Sequence, residues 1–535
     1  PFAEINVFQL GLYAQDKWTV SDKLNLTLGL RIDVPFFMTD LQSNDKVAAE
    51  TYRDGIKIDV SKYPNAKPQF SPRFGFNYKP FDDENGSLQI RGGTGLFTGT
   101  PPYVWISNQA GNNGVLFGDL NVRAVKDKND NIISDGRPSL GFTGNMDTYK
   151  PAEGSATRSD IAITDPDFKY PSLWKSNIAA DYKFGDGWVA TIELLYSKDI
   201  NAIYHDNIGL YRTEQFVNDG GAGNARPYYN GYYSDREGNQ KAANHVVMLR
   251  NTSKGHSLYT TFQLQKNFVD GILKGLYLNG SYSFGQSRGV TDGTSSVATS
   301  AWKYRAALDG NAEEVGYTAG SFDGRLLLSA SYTANWSKYA ATSFGLIYQR
   351  YRPFRYSYCY NGDANGDSQF SNDLMYIPAN FDEVKDHLLP GDFDSQEDAW
   401  KAMNAFIEQD PYLSKHRGEY AERNGAVAPF ANQLDLSVSH DIKIYQKNGR
   451  SHTLRFSFNI ANFLNLLNRN WGVVQTTVLG NQQYQFLTIP KGQGPSAANN
   501  YTLKYTMAKD LDETFKDNLN DVSRWQMQFG IKYIF

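Results

Sequence analysis

Residue parity constrains this chain more than any other feature. In Leu24-Asn25-Leu26-Thr27-Leu28-Gly29-Leu30-Arg31 every even position is leucine and every odd one is polar or glycine. Successive side chains on a strand point to opposite faces, so this segment has one apolar face and one hydrated face. The segment Phe8 to Trp18 precedes it across Ser21-Asp22-Lys23, and the two read as a hairpin. The same pairing recurs in Phe74–Tyr78 with Leu88–Arg91, Ile178–Phe184 with Trp188–Tyr196, and Leu258–Phe268 with Leu276–Phe284. It recurs again in Leu326–Trp336 with Phe344–Tyr348, and in Leu434–Ser439 with Leu454–Ile460 across a turn near Asn448-Gly449. In all, roughly 13 to 15 candidate strands of about ten residues are present, the length a tilted membrane strand needs.

The connections are unequal. Short turns alternate with the long stretches 36–68, 99–171, 200–244, 288–321, 353–431 and 465–522. A transmembrane antiparallel β-barrel has this asymmetry, with tight turns at one end and long extracellular loops at the other. A soluble sandwich would carry turn signals every 8–12 residues or so on both sides. No blade-length repeat supports a propeller. The fold class expected is therefore all-β, a transmembrane barrel.

Composition agrees. Hydrophobic residues are 40% of the chain, below the usual globular share, yet 14% are aromatic. Mean hydropathy is -0.53. A barrel wants this mixture, because one strand face meets lipid, the other meets water, and aromatic girdles mark both interfaces. No run approaches the roughly 18 apolar residues of a spanning helix, which leaves a barrel open. The formal charge is -4 with no dense basic stripe, so no nucleic-acid partner is expected. The single cysteine, Cys359, excludes an intrachain disulfide framework and a multi-cysteine metal site. No signal peptide opens the chain, so processing or truncation is expected to have removed what came before Pro1.

The last strand is the sharpest local signal. Trp525, Met527, Phe529, Ile531, Tyr533 and Phe535 are apolar, and polar residues or glycine stand between them except at Ile534. A terminal aromatic on such a strand resembles the signal read by outer-membrane insertion machinery, which places the chain in a bacterial outer membrane. A soluble edge strand of this pattern would be an aggregation hazard.

Few motifs suggest chemistry. Asp363, Asn365, Asp367, Gln369 and Asp373 set oxygen ligands at the spacing of a tight loop around a hard cation, which suits calcium. The loop lacks glycine at its sixth position and has Leu374 where a bidentate Glu would sit, and an Asx-rich solvated turn is the alternative. Ser395 to Ile407, inside the 353–431 connection, reads as a capped amphipathic helix stopped by Pro411. It either gates the loop and contacts a partner, or packs on the barrel rim. Arg91-Gly92-Gly93-Thr94-Gly95 sits on a strand, so its glycines serve curvature or close approach rather than phosphate binding. The seven histidines are scattered and no catalytic signature appears, so an enzyme is not expected. The tyrosines of 228–233 and 351–360 either stack on a ligand, form girdles or pack loops together.

Several segments in order carry a resemblance. Phe70-Ser-Pro-Arg73-Phe-Gly-Phe-Asn, Arg91 through Trp105, Asn372-Asp-Leu-Met-Tyr-Ile-Pro378, His416 through Asn424, and Asn459 through Trp471 are similar to the barrel of the Oar-like TonB-dependent transporters of Bacteroidota and myxobacteria. The resemblance implies a barrel of about 22 strands closed by an N-terminal plug. It implies energy from the inner-membrane TonB–ExbB–ExbD complex, acting on a box upstream of the plug. The strand count falls about eight short of that number, so residues 1–535 are expected to supply the C-terminal part of the barrel domain. The expected function is outer-membrane transport of a bulky substrate, with outer-membrane lipid around the strands and a surface lipoprotein or peptide as a further partner. A surface-adhesion or export-associated barrel and a passive porin of about 14 strands remain as other classes.

Overall fold

The computed structural model describes residues 4–115, 124–126, 131–135, 144–145, 158–220, 226–445, 451–479, 483–496 and 501–535. Thirteen long strands dominate it. They are β1 (Val7–Ser21), β2 (Leu24–Phe37), β3 (Gln69–Asp83), β4 (Gly86–Thr98), β5 (Ser172–Phe184), β6 (Trp188–Asp199) and β7 (Gly255–Asn267). There follow β8 (Leu276–Gly289), β9 (Arg325–Ser337), β10 (Ala340–Tyr351), β11 (Ala431–Tyr445), β12 (Ser451–Ala461) and β13 (Gln526–Ile534). Each pairs antiparallel with the next, and all six expected hairpins form. Gly316–Tyr317 adds a short fourteenth strand beside β8. Among the described residues no pairing joins β1 to β13, so the sheet keeps two edges.

Register carries the parity of one strand across the sheet. Leu26 lies opposite Phe76, then follow Gly92, Ile178, Leu194, Thr260 and Phe284 on successive strands. A second rung runs Leu278, Ala330, Leu346, Leu436, Ile460, Met527. Because side chains alternate with period two, these rungs place one apolar set on one face of the whole sheet. The other face holds ion pairs and hydroxyls: Arg31–Asp33 at 2.7 Å, Arg91–Asp181 at 2.9 Å, Arg455–Asp441 at 2.6 Å, and Thr261 with Ser283 at 2.9 Å.

Several polar residues at the apolar face find local partners. Thr94 and Ser176 bond each other at 2.7 Å. Lys266 reaches back to the Asp186 carbonyl at a turn, between the Trp188 and Phe268 rings. A long cation at the end of an apolar face folds toward water in this way.

Every short turn lies at one end of the sheet and every long connection at the other. Gly187 shows what a short turn demands: its φ is +82° and a Cβ there would stand 2.4 Å from the Asn267 carbonyl oxygen. The turn expected near Asn448-Gly449 lies outside the described residues. The third long connection continues to Lys254, past the expected boundary at 244. Ala243–Thr252 leaves the main sheet there and pairs with Ala202–Asn207 and Ser159–Thr164. Its stretch His245–Leu249 is buried on both faces, the pattern of a dry-core strand rather than a half-wet one.

Candidate functional site

Two regions carry functional chemistry: the apolar face with its final strand, and the assembly of long connections. On β13, Met527, Phe529, Ile531 and Tyr533 stand opposite Ile460, Phe458, Phe456 and Leu454 on the apolar face. Trp525 and Phe535 extend the same parity, and Phe535 is 90% exposed. At the short-turn end Tyr533 bonds His452 at 2.6 Å and lies against Phe535, with ring centroids 5.8 Å apart. Tyr182, Phe184 and Trp188 stack at the same end, and Trp18 and Trp336 are exposed near it. Aromatic rings gathered at the ends of strands form the interfacial girdle of a membrane barrel. Four of the six residues expected to form the terminal signal thus share one face of the strand, and Trp525 and Phe535 flank it.

The long connections fold on one another. The largest dry core takes Val217 and Tyr228 from the third connection, Met375, Met403, Phe406 and Ile407 from the fifth, and Tyr484, Phe486 and Tyr505 from the sixth. A second core joins Val47 and Tyr52 of the first connection to Ile161 of the second and Val246 of the third. Ala298 and Trp302 of the fourth connection enter a third core with Tyr229 and Val247. The Gln396–Gln409 helix forms where expected, with the Ser395 oxygen accepting from the Asp398 N–H at 3.1 Å. Its apolar stripe, Ala399, Met403, Phe406 and Ile407, packs into the loop core rather than on the barrel rim. Tyr228, Tyr356, Tyr358 and Tyr360 are buried there too, so of the roles open to the tyrosine clusters these four pack loops together.

Charges lock the connections at depth. Arg226 is fully buried between Asp219 and Asp373, at 3.0 Å from each, and donates also to the Leu374 carbonyl. Buried Asp206 accepts from Arg53 of the first connection and from Arg250 at 2.8 Å. Buried Glu50 accepts from Ser234 at 2.6 Å, Tyr52 at 2.8 Å and the Ala242 N–H at 2.8 Å. Buried polar groups persist where such partners satisfy them.

The residues singled out for calcium come together in one turn. Asp363 accepts the N–H groups of Asn365, Gly366 and Ser368 at 3.1, 2.6 and 2.8 Å. Asp367 accepts from the Gln369 N–H at 2.9 Å and from the Asn365 amide at 3.3 Å. Asp373 accepts from Arg226 and, at 2.9 Å, from the Ala364 N–H. Burial pushes all three carboxyls up, Asp373 to about 7, and repulsion among them adds to the rise at Asp367 and Asp373. Among the described residues no three His, Cys, Asp or Glu side chains converge as a metal's ligand sphere.

A polar cavity of about 510 Å³ opens among the fourth, fifth and sixth connections. Asp292 and Arg305 line it from the fourth, Ser357, Arg423 and Asn424 from the fifth, and Gln485 from the sixth. Arg305 donates to the carbonyls of Val290 at 3.3 Å, Ala312 at 3.0 Å, and Gly310. Arg423 donates to the carbonyls of Val290, Gly289 and, at 3.5 Å, Gly316. Burial and the neighbouring Arg305 charge push the Arg423 guanidinium down to about 10, and burial lowers Arg305 as well. Sequence reasoning noted Arg423 and Asn424 only within a longer motif and passed over Arg305. The signal for Arg305 was a cation set in the apolar run Ala301-Trp302-Lys303-Tyr304-Arg305-Ala306-Ala307-Leu308.

The model of the outer membrane beta barrel domain family matches residues 1–496. No curated protein matches the sequence. Among solved structures, the copper transporter OprC is similar over 86% of this chain and 42% of its own, at 8% identity and a TM-score of 0.38. The siderophore receptor PirA from Acinetobacter baumannii is similar over 86% of this chain and 42% of its own, at 8% identity and a TM-score of 0.39. BauA, the ferric preacinetobactin receptor from Acinetobacter baumannii, is similar over 99% and 43%, at 10% identity and a TM-score of 0.39. The chain thus spans less than half the length of these structures.

Proposed function

The chain belongs to the outer membrane beta barrel domain family, and from that premise we propose that it forms most of the wall of an energised outer-membrane transporter. The apolar face meets lipid and the polar face lines the interior. One observation carries the reading: thirteen long strands share a continuous hydrated face, yet among the described residues the sheet does not close on itself. An unpaired strand edge in hydrocarbon leaves backbone groups unsatisfied at several kcal/mol each, so further strands must bridge β1 and β13. A total of about 22 strands satisfies this, and a lumen that wide leaks unless a plug fills it.

The finer assignment is the Oar-like, TonB-dependent type. In that type a plug fills the lumen, and work from TonB–ExbB–ExbD opens the path for a bulky substrate. The folded connections form the capturing surface, where a surface lipoprotein or peptide partner docks. Their extent favours, as a second reading, a surface-adhesion or export-associated barrel. Calcium at Asp363, Asn365, Asp367, Gln369 and Asp373 belongs to the same proposal, supported by the gathering of three carboxyls in one turn, where repulsion among them raises Asp367 and Asp373. The Trp525–Phe535 face serves as the assembly signal.

The intact protein, reconstituted in planar bilayers, tests the transporter. Its conductance is expected to stay closed, and cellular uptake of the ligand that copurifies with it is expected to vanish when the inner-membrane energy complex is deleted. A steady open conductance, or uptake that survives the deletion, refutes the reading.

A further inference from the structure

Two arginines in the polar cavity bond backbone carbonyls and, among the described residues, form no ion pair. We infer that the cavity binds the oxyanion of a small hydrophilic molecule, a carboxylate or phosphate, between Arg305 and Arg423.

Both side chains are more than nine-tenths buried, at 6% and 3% exposure. A charge taken from water needs opposing charge or a full set of bonds. Here the acceptors are neutral backbone carbonyls, and the Val290 carbonyl is shared by both guanidiniums. The Nε atom of each arginine is buried without a partner among the described residues. The acids within electrostatic reach are Asp292, Glu314, Glu422, Asp309 and Asp206. Each bonds other donors. Asp292 holds the Asn424 amide at 3.0 Å and the Ala319 N–H at 2.8 Å. Glu314 holds the Leu308 N–H at 2.9 Å, Glu422 holds Arg288, and Asp309 holds Tyr229 at 2.7 Å. Asp206 holds Arg53 and Arg250. Two like charges therefore sit side by side, and among the described residues no carboxylate is bonded to either.

A guanidinium fork matches the paired oxygens of carboxylate and phosphate better than any other side chain does. The volume of about 510 Å³ lies in the range of small-molecule sites. The remaining polar lining is Asp292, held by the Asn424 amide and the Ala319 N–H, together with hydroxyls and amides that include Ser357, Asn424 and Gln485. That chemistry suits a polyhydroxylated body carrying the anion, such as a uronic acid or a sugar phosphate. An anion seated there would tie three connections together. The biological meaning rests on the loops being a capturing surface, but the binding does not depend on energised transport.

Isothermal titration of the intact protein in detergent and low-chloride buffer, with glucuronate, inorganic phosphate and glucose as separate probes, tests the site. Saturable heat is expected from at least one anion and none from glucose, and the tighter anion identifies the headgroup. Arg305→Gln and Arg423→Gln are each expected to weaken that binding roughly tenfold or more, while Lys401→Gln, on the exposed side of the Gln396–Gln409 helix and outside the cavity, leaves it unchanged. Should either arginine variant fail to fold, excess sulfate against the unaltered protein serves instead and is expected to displace the bound anion. Glucose and glucuronate binding alike, or neither anion binding at millimolar concentration, overturns the site. Energy-dependent uptake that persists beside such a negative result would leave the transporter reading standing.

Discussion

A charge moved by one residue tests whether parity holds this sheet in a membrane. Leu346 is the seventh of twelve residues in β10 and lies between Ala330 and Leu436 on the apolar face. Ser437, on the neighbouring strand, lies between Gly345 and Asn459 on the polar face. The two sites are at nearly the same depth and differ in the medium they meet. Leu346→Arg puts a guanidinium near the bilayer midplane, where it costs about 2–4 kcal/mol. That is roughly a 30- to 900-fold change in the folded-to-unfolded ratio. Ser437→Arg puts the same group in a hydrated interior near Asp435, and its effect is expected to stay within about 1 kcal/mol. Urea unfolding of the intact protein in phospholipid vesicles, followed by tryptophan fluorescence, reads both. Parallel slopes with a lowered midpoint only for Leu346→Arg are expected. Equal midpoint shifts, or a larger shift for Ser437→Arg, refute the assignment of lipid to the apolar face.

Two further predictions concern the end of the chain and the acidic turn. Removing Phe535 is expected to lower the amount of barrel assembled in the outer membrane while leaving the urea midpoint of refolded protein unchanged; an unchanged outer-membrane yield refutes the signal. For the turn, the Asp373 carboxyl titrates near 7 when folded, against about 3.9 unfolded. The folded turn thus binds the extra proton, and its stability falls as pH rises from about 4 through 7. In chelator, proteolytic opening of 363–374 is expected to grow over that window. Calcium flattens the dependence for the unaltered protein but not for Asp363→Asn/Asp367→Asn, and identical curves with and without calcium refute the cation.

What the sequence disclosed depends on the solvent each segment meets. Hydrocarbon on one side and water on the other impose strict alternation, so the strands around Leu24–Arg31 or Leu434–Ser439 could be read residue by residue. The glycines of Arg91–Gly95 could be read as well: a Cβ at Gly92 would lie 2.6 Å from the Asn177 carbonyl oxygen, the close approach a strand glycine permits. Inside the connections the partners are distant in sequence. Tyr228, Met375, Phe406 and Tyr484 share one core but come from three separate stretches. Nothing local tells a tyrosine that will be buried among them from one that will stack on a ligand. Arg305 escaped for the same reason, since its meaning depends on Arg423, which reaches the cavity from another connection.

The shared cores also limit how the outer face can move. Opening the third connection alone would strip Val217 and Tyr228 from the first core and Val246 from the second. It would also part Arg226 from Asp373, leaving that carboxyl buried without its cation. Breaking one such buried pair costs about 3–5 kcal/mol, and the apolar surface adds to that. A loop held this way does not open singly on a useful timescale; the interlocked connections move together or stay closed. On the proposed transport reading, a ligand is first received at a gap the packed loops already leave, and the polar cavity between the fourth, fifth and sixth connections is such a gap.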